Sequence, residues 1–301
     1  RSLPVIEFDP RYARFESELM QAGAAAEERG LSLILRPELR PTEGSLETWW
    51  AGAARDSTWW TVWFDEYRSF LLTQAAIAER AGAARLVING AQLAPALPGG
   101  TIDGGAPSGV PLDAETRWRE LLQEIRGQFS GQVAFEVEAG ESLSSVPPFL
   151  DAVDAVHVYW HRPLSSEPGV EPAQLAEAAG RGLDGTLAAL PADVPIYLSV
   201  EYLSVDGSAA ACPPAPDGGC RSSAAFDAGA VVDEDLPVNL QAQVQTLRAV
   251  LVEAASREQI SGFSVRRFYP LVALQDKSAS VYGKPAADML SYEYARLRGT
   301  P

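Results

Sequence analysis

Short apolar runs rich in β-branched residues begin near positions 31, 85, 133, 155, 196 and 261 and alternate with longer segments whose apolar residues recur at helical spacing. That alternation constrains the fold more than any other feature, because consecutive parallel strands need a long crossover, normally a helix. Phe15, Leu19, Ala22 and Ala26 share one helical face over 12–29, Gly30 sits where a left-handed cap belongs, and the strand Leu31-Ser-Leu-Ile-Leu-Arg-Pro37 follows. Trp63, Tyr67, Phe70, Leu71, Ala78 and Ala81 repeat the stripe over 63–81, stopped by Gly82 and followed by the strand Arg85-Leu-Val-Ile-Asn89.

The unit recurs. Trp118, Leu121, Leu122 and Ile125 mark a helix opened by Asp113, ahead of the strand Val133-Ala-Phe-Glu-Val-Glu138. A short helix through Phe149 and Leu150 leads to Ala155-Val-His-Val-Tyr-Trp160, and a helix from Leu175 to Leu190 leads to the strand at 196. Leu240, Val244, Leu247, Leu251 and Ala254 precede the strand Ser261-Gly-Phe-Ser-Val265. The last helix has Pro285 in its first turn and Met289, Leu290 and Leu297 inward.

Such a run without a glycine-rich phosphate loop predicts an α/β chain with the (β/α)8 barrel fold, in a single domain over 1–301. A complete barrel has eight strands and six are legible. Either the first two lie upstream of Arg1, or Leu3-Pro-Val-Ile-Glu-Phe8 supplies an irregular one.

Forty acidic against twenty-four basic residues give a net charge of −16, which repels phosphate backbones and anionic lipid and excludes nucleic acid as an expected partner. No apolar run is long enough to insert in a membrane, and the start at Arg1 lacks the apolar core of a signal peptide, so any leader is expected to have been removed. Cys212 and Cys220 bracket a Pro/Gly loop. A disulfide between them is the expectation, implying an extracellular or cell-surface location; two unrelated free thiols are the alternative. The two histidines, His157 and His161, lack the ligand spacing of a metal site, and no cofactor is expected. Oligomeric state is left open.

The stretch Val194-Pro-Ile-Tyr-Leu-Ser-Val-Glu201 reads as a buried strand ending on an acid. The carboxyl ends of barrel strands carry the chemistry, which makes Glu201 a candidate, with a structural acid paired to an arginine as the alternative. The long connections at 91–112 and 202–237 follow strand ends and would sit on the same rim, as functional lids or as disordered segments. Trp49, Trp50, Trp59, Trp60 and Trp63 crowd one stretch. Trp63 lies on the helical stripe, whereas the Trp49/Trp50 and Trp59/Trp60 pairs are expected to line a cleft, because flat aromatic rings suit the C–H faces of sugars. Tyr159, Trp160 and Arg266, at other strand ends, could extend that wall. Glycoside cleavage needs two carboxyl groups flanking one bond. The candidates for the second are Glu138 and Glu136, which share a face, with Glu38 on a more distant strand.

The ordered set Gly30-Leu-Ser-Leu-Ile-Leu-Arg-Pro37, Trp60-x-x-Trp-Phe-x-x-Tyr67, Asn89-Gly-Ala-Gln-Leu93, Trp118-Arg-Glu-Leu-Leu-x-x-Ile-Arg126, Val200-Glu-Tyr-Leu-Ser204 and Gly283-Lys-Pro-Ala286 resembles the mannanase-like barrels of clan A glycoside hydrolases over nearly the whole chain. The resemblance implies a retaining glycosidase acting on an oligo- or polysaccharide with β-linkages, such as a mannan. Its acid/base glutamate would end the fourth strand and its nucleophile the seventh. With two strands upstream of Arg1, Glu201 matches the nucleophile and Gln92 falls at the acid/base position. An amide cannot supply a proton to a leaving oxygen. Three readings follow: a substituted acid site, a different acid such as Glu138, or a barrel that binds carbohydrate without cutting it.

Overall fold

The computed structural model describes residues 3–6, 12–140, 143, 146–167, 169–211, 213, 226, 236–269 and 275–299. Cys212 and Cys220, and with them the expected disulfide, lie outside the described residues, as do Glu7 and Phe8. Residues 3–6 form no strand; the Ile6 N–H donates to a Glu66 carboxylate oxygen at 3.2 Å. Six parallel strands stand in one sheet in chain order: β1 (Ile34–Leu35), β2 (Arg85–Asn89), β3 (Gln132–Ala139), β4 (Ala155–Trp160), β5 (Ile196–Val200) and β6 (Ile260–Val265). The helices are α1 (Tyr12–Glu28), α2 (Leu46–Gly52), α3 (Ser57–Arg80), α4 (Ala114–Arg126), α5 (Pro172–Leu187), α6 (Leu240–Ala255) and α7 (Pro285–Leu297). This is a partial (β/α)8 barrel. Among the described residues no helix is long and apolar enough to cross a membrane.

The chain divides into two compact units, Arg1–Val137 with Ser144–His157, and Glu138–Leu143 with Val158–Pro301. In the first, β2 pairs with β1 from Ile34↔Arg85 and with β3 from Arg85↔Gln132 to Asn89↔Glu136. Every residue of β2 is buried, as a strand covered on both faces requires. The stripe of α3 is buried as its spacing predicts, from Trp63 and Tyr67 to Ala78. On α1, however, Phe15 and Ala22 face solvent and Gly23 is buried. A Cβ at Gly23 would lie 2.1 Å from the Ala81 carbonyl oxygen, so the α1 backbone approaches Ala81 closely there, while Leu19 and Ala26 of the expected face are half-buried.

The tryptophans are placed by two helix caps. Ser45 Oγ accepts the Thr48 N–H and opens α2; Asp56 Oδ1 accepts the Trp59 N–H at 2.9 Å and opens α3 at Ser57, six residues before the predicted start. Trp59 and Trp60 therefore sit on the first turn of α3, facing inward. Their rings meet edge to face at 5.0 Å, Trp50 lies 5.6 Å from Trp63, and Trp63 stacks on Tyr67 at 4.9 Å.

In the second unit β5 pairs with β6, ending at Val200↔Val265. Ile196, Leu198 and Val200 are buried while Tyr197 and Ser199 are half-buried, the alternation read from sequence. Of the residues expected to point inward on α7, Leu290 does, Met289 is half-buried and Leu297 is exposed in the last turn.

Candidate active site

Three backbone hydrogen bonds carry the sheet's geometry past the strand ends and set the rim of the second unit. Glu201 N–H donates to the Trp160 carbonyl at 3.0 Å, Arg266 N–H to Val200 at 2.9 Å, and His161 N–H to Ala139 at 3.1 Å. Consecutive strand ends thus present Glu138, Tyr159 with His161, Glu201, and Arg266 with Arg267.

Glu201 is 4 % exposed. Its Oε2 accepts from Arg267 Nε at 3.3 Å, which sets a permanent positive charge against the carboxylate. Its Oε1 is buried. Tyr159 lies beside the same carboxylate: burial, and then the nearby negative charge of Glu201, push its phenol well above the usual range, so the hydroxyl stays protonated. The Arg266 guanidinium lies 3.9 Å from the centre of the Tyr159 ring, a cation–π contact that helps to hold that ring.

Glu138 Oε1 lies 2.8 Å from His161 Nε2, and the His161 ring packs 4.6 Å from that of Tyr159. Both partners are partly solvent-accessible. Gly140 makes room for the pair, since a Cβ there would come within 2.8 Å of the imidazole. Glu138, His161, Tyr159 and Glu201 form one continuous side-chain constellation on adjoining strand ends. Among the described residues no group of three or more His, Cys, Asp and Glu side chains is placed to hold a metal ion.

The other candidates are engaged elsewhere. In the first unit both oxygens of Glu136 accept from Arg36, from Nε at 3.0 Å and Nη2 at 2.8 Å, and Glu38 pairs with Arg36 and Arg40. Such a forked pair, with the Glu136 carboxylate itself buried, commits both oxygens to holding Arg36. The Gln92 amide is also spoken for: its Oε1 accepts the Leu39 N–H at 2.8 Å and its Nε2 donates to the Leu39 carbonyl at 3.0 Å.

The expected aromatic wall is corrected in large part. Trp50, Trp59 and Trp60 are buried in the first unit, with Trp50 Nε1 donating to the Gln92 carbonyl at 3.1 Å. Trp160 is buried in the second, its Nε1 donating to the Tyr202 hydroxyl at 3.0 Å. Indoles whose rings are covered on all sides by neighbours offer no face to a sugar. Trp49 alone of the two pairs is half-exposed, on a cleft of the first unit lined also by Leu46, Arg40 and Glu43. Tyr159, also expected on that wall, lies beside Glu201, with Arg266 over its ring. Sequence reasoning missed His161 and Arg267 as members of this cluster. The signal was present: each directly follows a residue at a strand's carboxyl end.

No protein-family model and no curated protein matches the chain by sequence. Solved structures do match. A GH113 β-1,4-mannanase superposes with a TM-score of 0.64 at 20 % identity, over 93 % of this chain and 79 % of that one. The fold is shared with mannanases. The GH113 β-mannanase of Alicyclobacillus acidocaldarius, in complex with ManMIm, gives 0.60 at 19 % identity over 94 % and 78 %. A β-D-glucuronidase of Dictyoglomus thermophilum gives 0.53 at 12 % identity, over 93 % of this chain but 43 % of that larger one. The likeness to mannanase-like barrels read from six short motifs is thus met again in the fold.

Proposed function

We propose that the chain is a retaining glycoside hydrolase acting on a β-linked polysaccharide of the mannan type, with Glu201 as nucleophile and Glu138 as acid/base. The observation that carries this reading is the pairing of Glu201 with Arg267 and Tyr159 at the end of β5, on a rim shared with the Glu138–His161 pair. In the first step the Glu201 carboxylate attacks the anomeric carbon while Glu138 gives its proton to the departing glycosidic oxygen. In the second, Glu138 takes a proton from water as that water cleaves the glycosyl ester, which frees Glu201. Arg267 and the Tyr159 hydroxyl orient the attacking oxygen atoms, and His161 holds Glu138 through one of its oxygens. Such a chain would act outside the cell, where its polysaccharide is found and where a Cys212–Cys220 disulfide would persist.

A fluorinated aryl β-mannoside, whose glycosyl ester forms faster than it breaks, tests the nucleophile. Peptide mapping by mass spectrometry should find the label on Glu201; hydrolysis with the label elsewhere overturns the assignment. The acid is tested by leaving-group dependence. Glu138→Gln should lower kcat/KM on oligosaccharides by roughly 10²–10⁴-fold and have far less effect on aryl glycosides, whose phenolate departs unaided. Gln92→Glu should give no gain in activity and should cost about 1–3 kcal/mol in stability, because a carboxylate there cannot donate to the Leu39 carbonyl. A gain would return the acid/base role to position 92.

The Gln92 amide also supports a second reading, a barrel that binds glycans without cutting them. Saturable oligosaccharide binding with no turnover of aryl glycosides would select it.

A further inference from the structure

Phe268 is 62 % exposed and Tyr282 38 %, and their rings meet edge to face at 5.1 Å with an interplanar angle of 78°. Two large aromatic rings left in water at this density are unusual unless something covers them in use. We propose that this pair is a stacking platform for a neutral pyranose ring, a saccharide subsite that adjoins Glu201 and rests on its reading as the nucleophile.

The pair is built into the scaffold. Residue Arg267 has φ of 64°, a left-handed conformation that a non-glycine residue seldom adopts. That turn directs consecutive side chains of the chain leaving β6 to different tasks. Arg267 Nε reaches Glu201 at 3.3 Å and its Nη1 reaches the Tyr269 hydroxyl at 3.4 Å, while Phe268, between them, is left to solvent. Ser280 then locks the second ring beside the first. Its fully buried hydroxyl oxygen accepts the Tyr269 N–H at 3.0 Å and the Tyr282 N–H at 3.3 Å, tying the backbone on either side of the pair to one atom. Ala279 and Val281 are buried to either side of Ser280, so Tyr282 projects from an anchored segment. A platform fixed in advance loses little freedom when a ring settles on it.

The chemistry of the ligand follows from the neighbouring charges. Both adjacent guanidinium groups are already engaged, Arg266 over the Tyr159 ring and Arg267 on the Glu201 carboxylate. An apolar, electron-rich surface whose two flanking guanidinium groups are so placed suits the C–H face of an uncharged sugar better than a uronate. Through Arg267, the same residue that touches Glu201 fixes the course of the chain into the platform, so a glycan spanning both would be registered along the rim.

The test uses the Glu201→Gln protein, titrated calorimetrically with β-1,4-mannohexaose, cellohexaose and xylohexaose. At least one should bind, and adding Phe268→Ala or Tyr282→Ala should each weaken it by roughly tenfold. Phe268→Leu, which keeps an apolar side chain without a ring, should weaken it as well. Tyr292→Ala, removing an aromatic residue 65 % exposed on α7, should leave the Kd within about twofold. Absence of binding by all three hexaoses overturns the platform, and so does a Kd unmoved by the Phe268 and Tyr282 substitutions. Since the background protein is not asked to turn over, this outcome is separate from the fluoroglycoside labelling, which alone decides the role of Glu201.

Discussion

Glu201→Gln should lower turnover of every glycoside by on the order of 10⁴-fold or more, the scale seen when a residue that bonds to the reacting centre is removed, and should leave the melting temperature within a few degrees of the parent. The second half follows from what surrounds the side chain. The glutamine amide keeps an oxygen that accepts from Arg267 Nε, and Arg267 is 32 % exposed, so its charge is relieved by water when the partner becomes neutral. Replacing a carboxylate by an amide also removes a charge that is 4 % exposed and costly to bury. A scaffold role predicts the reverse: a buried ion pair broken from one side costs about 3–5 kcal/mol and would leave catalysis per folded molecule unchanged. Activity normalised to the folded fraction, set beside a thermal melt, separates the two. Loss of turnover must hold for aryl glycosides as well as natural glycans, because a missing nucleophile cannot be bypassed by a better leaving group. This distinguishes it from Glu138→Gln, for which leaving-group chemistry decides the size of the effect.

The position of Glu201 was legible because two independent signals coincide there. Period-two alternation over Ile196–Val200 marks a strand, and a carboxylate terminates it. The limits of β2 and β4 were legible as runs bounded by a change of composition. Trp59 and Trp60 were misread because the helical stripe was started at Trp63. Asp56 caps α3 at Ser57, which turns Trp59 and Trp60 into first-turn residues with buried faces, and an Asp-Ser-Thr lead into an apolar stripe is the cap signal that would have shown it. A count of indoles carries no information on which way they face. Nor does a residue type reveal its commitments: Gln92 and Glu136 suit catalysis by position, yet one is consumed by the backbone of Leu39 and the other by the fork of Arg36, contacts made across 53 and 100 residues of sequence. The exposed Phe268–Tyr282 pair brings together residues on either side of the Ser280 anchor, and no local pattern joins them.

The two motifs Val200-Glu-Tyr-Leu-Ser204 and Gly283-Lys-Pro-Ala286 turn out to be halves of one structure, and breaking it should be the most destabilising single change outside the apolar core. Lys284 is buried and its Nζ donates to Ser204 Oγ at 2.9 Å and to the Ser278 carbonyl at 2.8 Å, and pairs with Asp276 at 3.2 Å. Ser204 Oγ donates onward to the Asp276 carbonyl at 2.7 Å, so the chain just beyond Glu201 is pinned to the segment that leads into Ser280 and Tyr282. Lys284→Met fills similar volume but leaves a carbonyl, a hydroxyl oxygen and a carboxylate without their shared donor. The expected loss is about 3–5 kcal/mol, read as a lower midpoint in urea with the same slope. Activity should fall with it even at temperatures where the variant is folded, since the segment following the nucleophile is no longer held. The pH dependence gives a second check. Burial pulls the Lys284 pKa below the ordinary 10.5, with Asp276 opposing in part. Between that lowered value and 10.5 the unfolded chain holds a proton that the folded chain has released, so stability contributed by this group rises with pH across the window. The gap in unfolding free energy between the parent and Lys284→Met should therefore widen as pH is raised from neutral toward 10.5; a gap that narrows instead would mean that the ammonium charge, and not the hydrogen-bonded amine, is what the surrounding oxygens require.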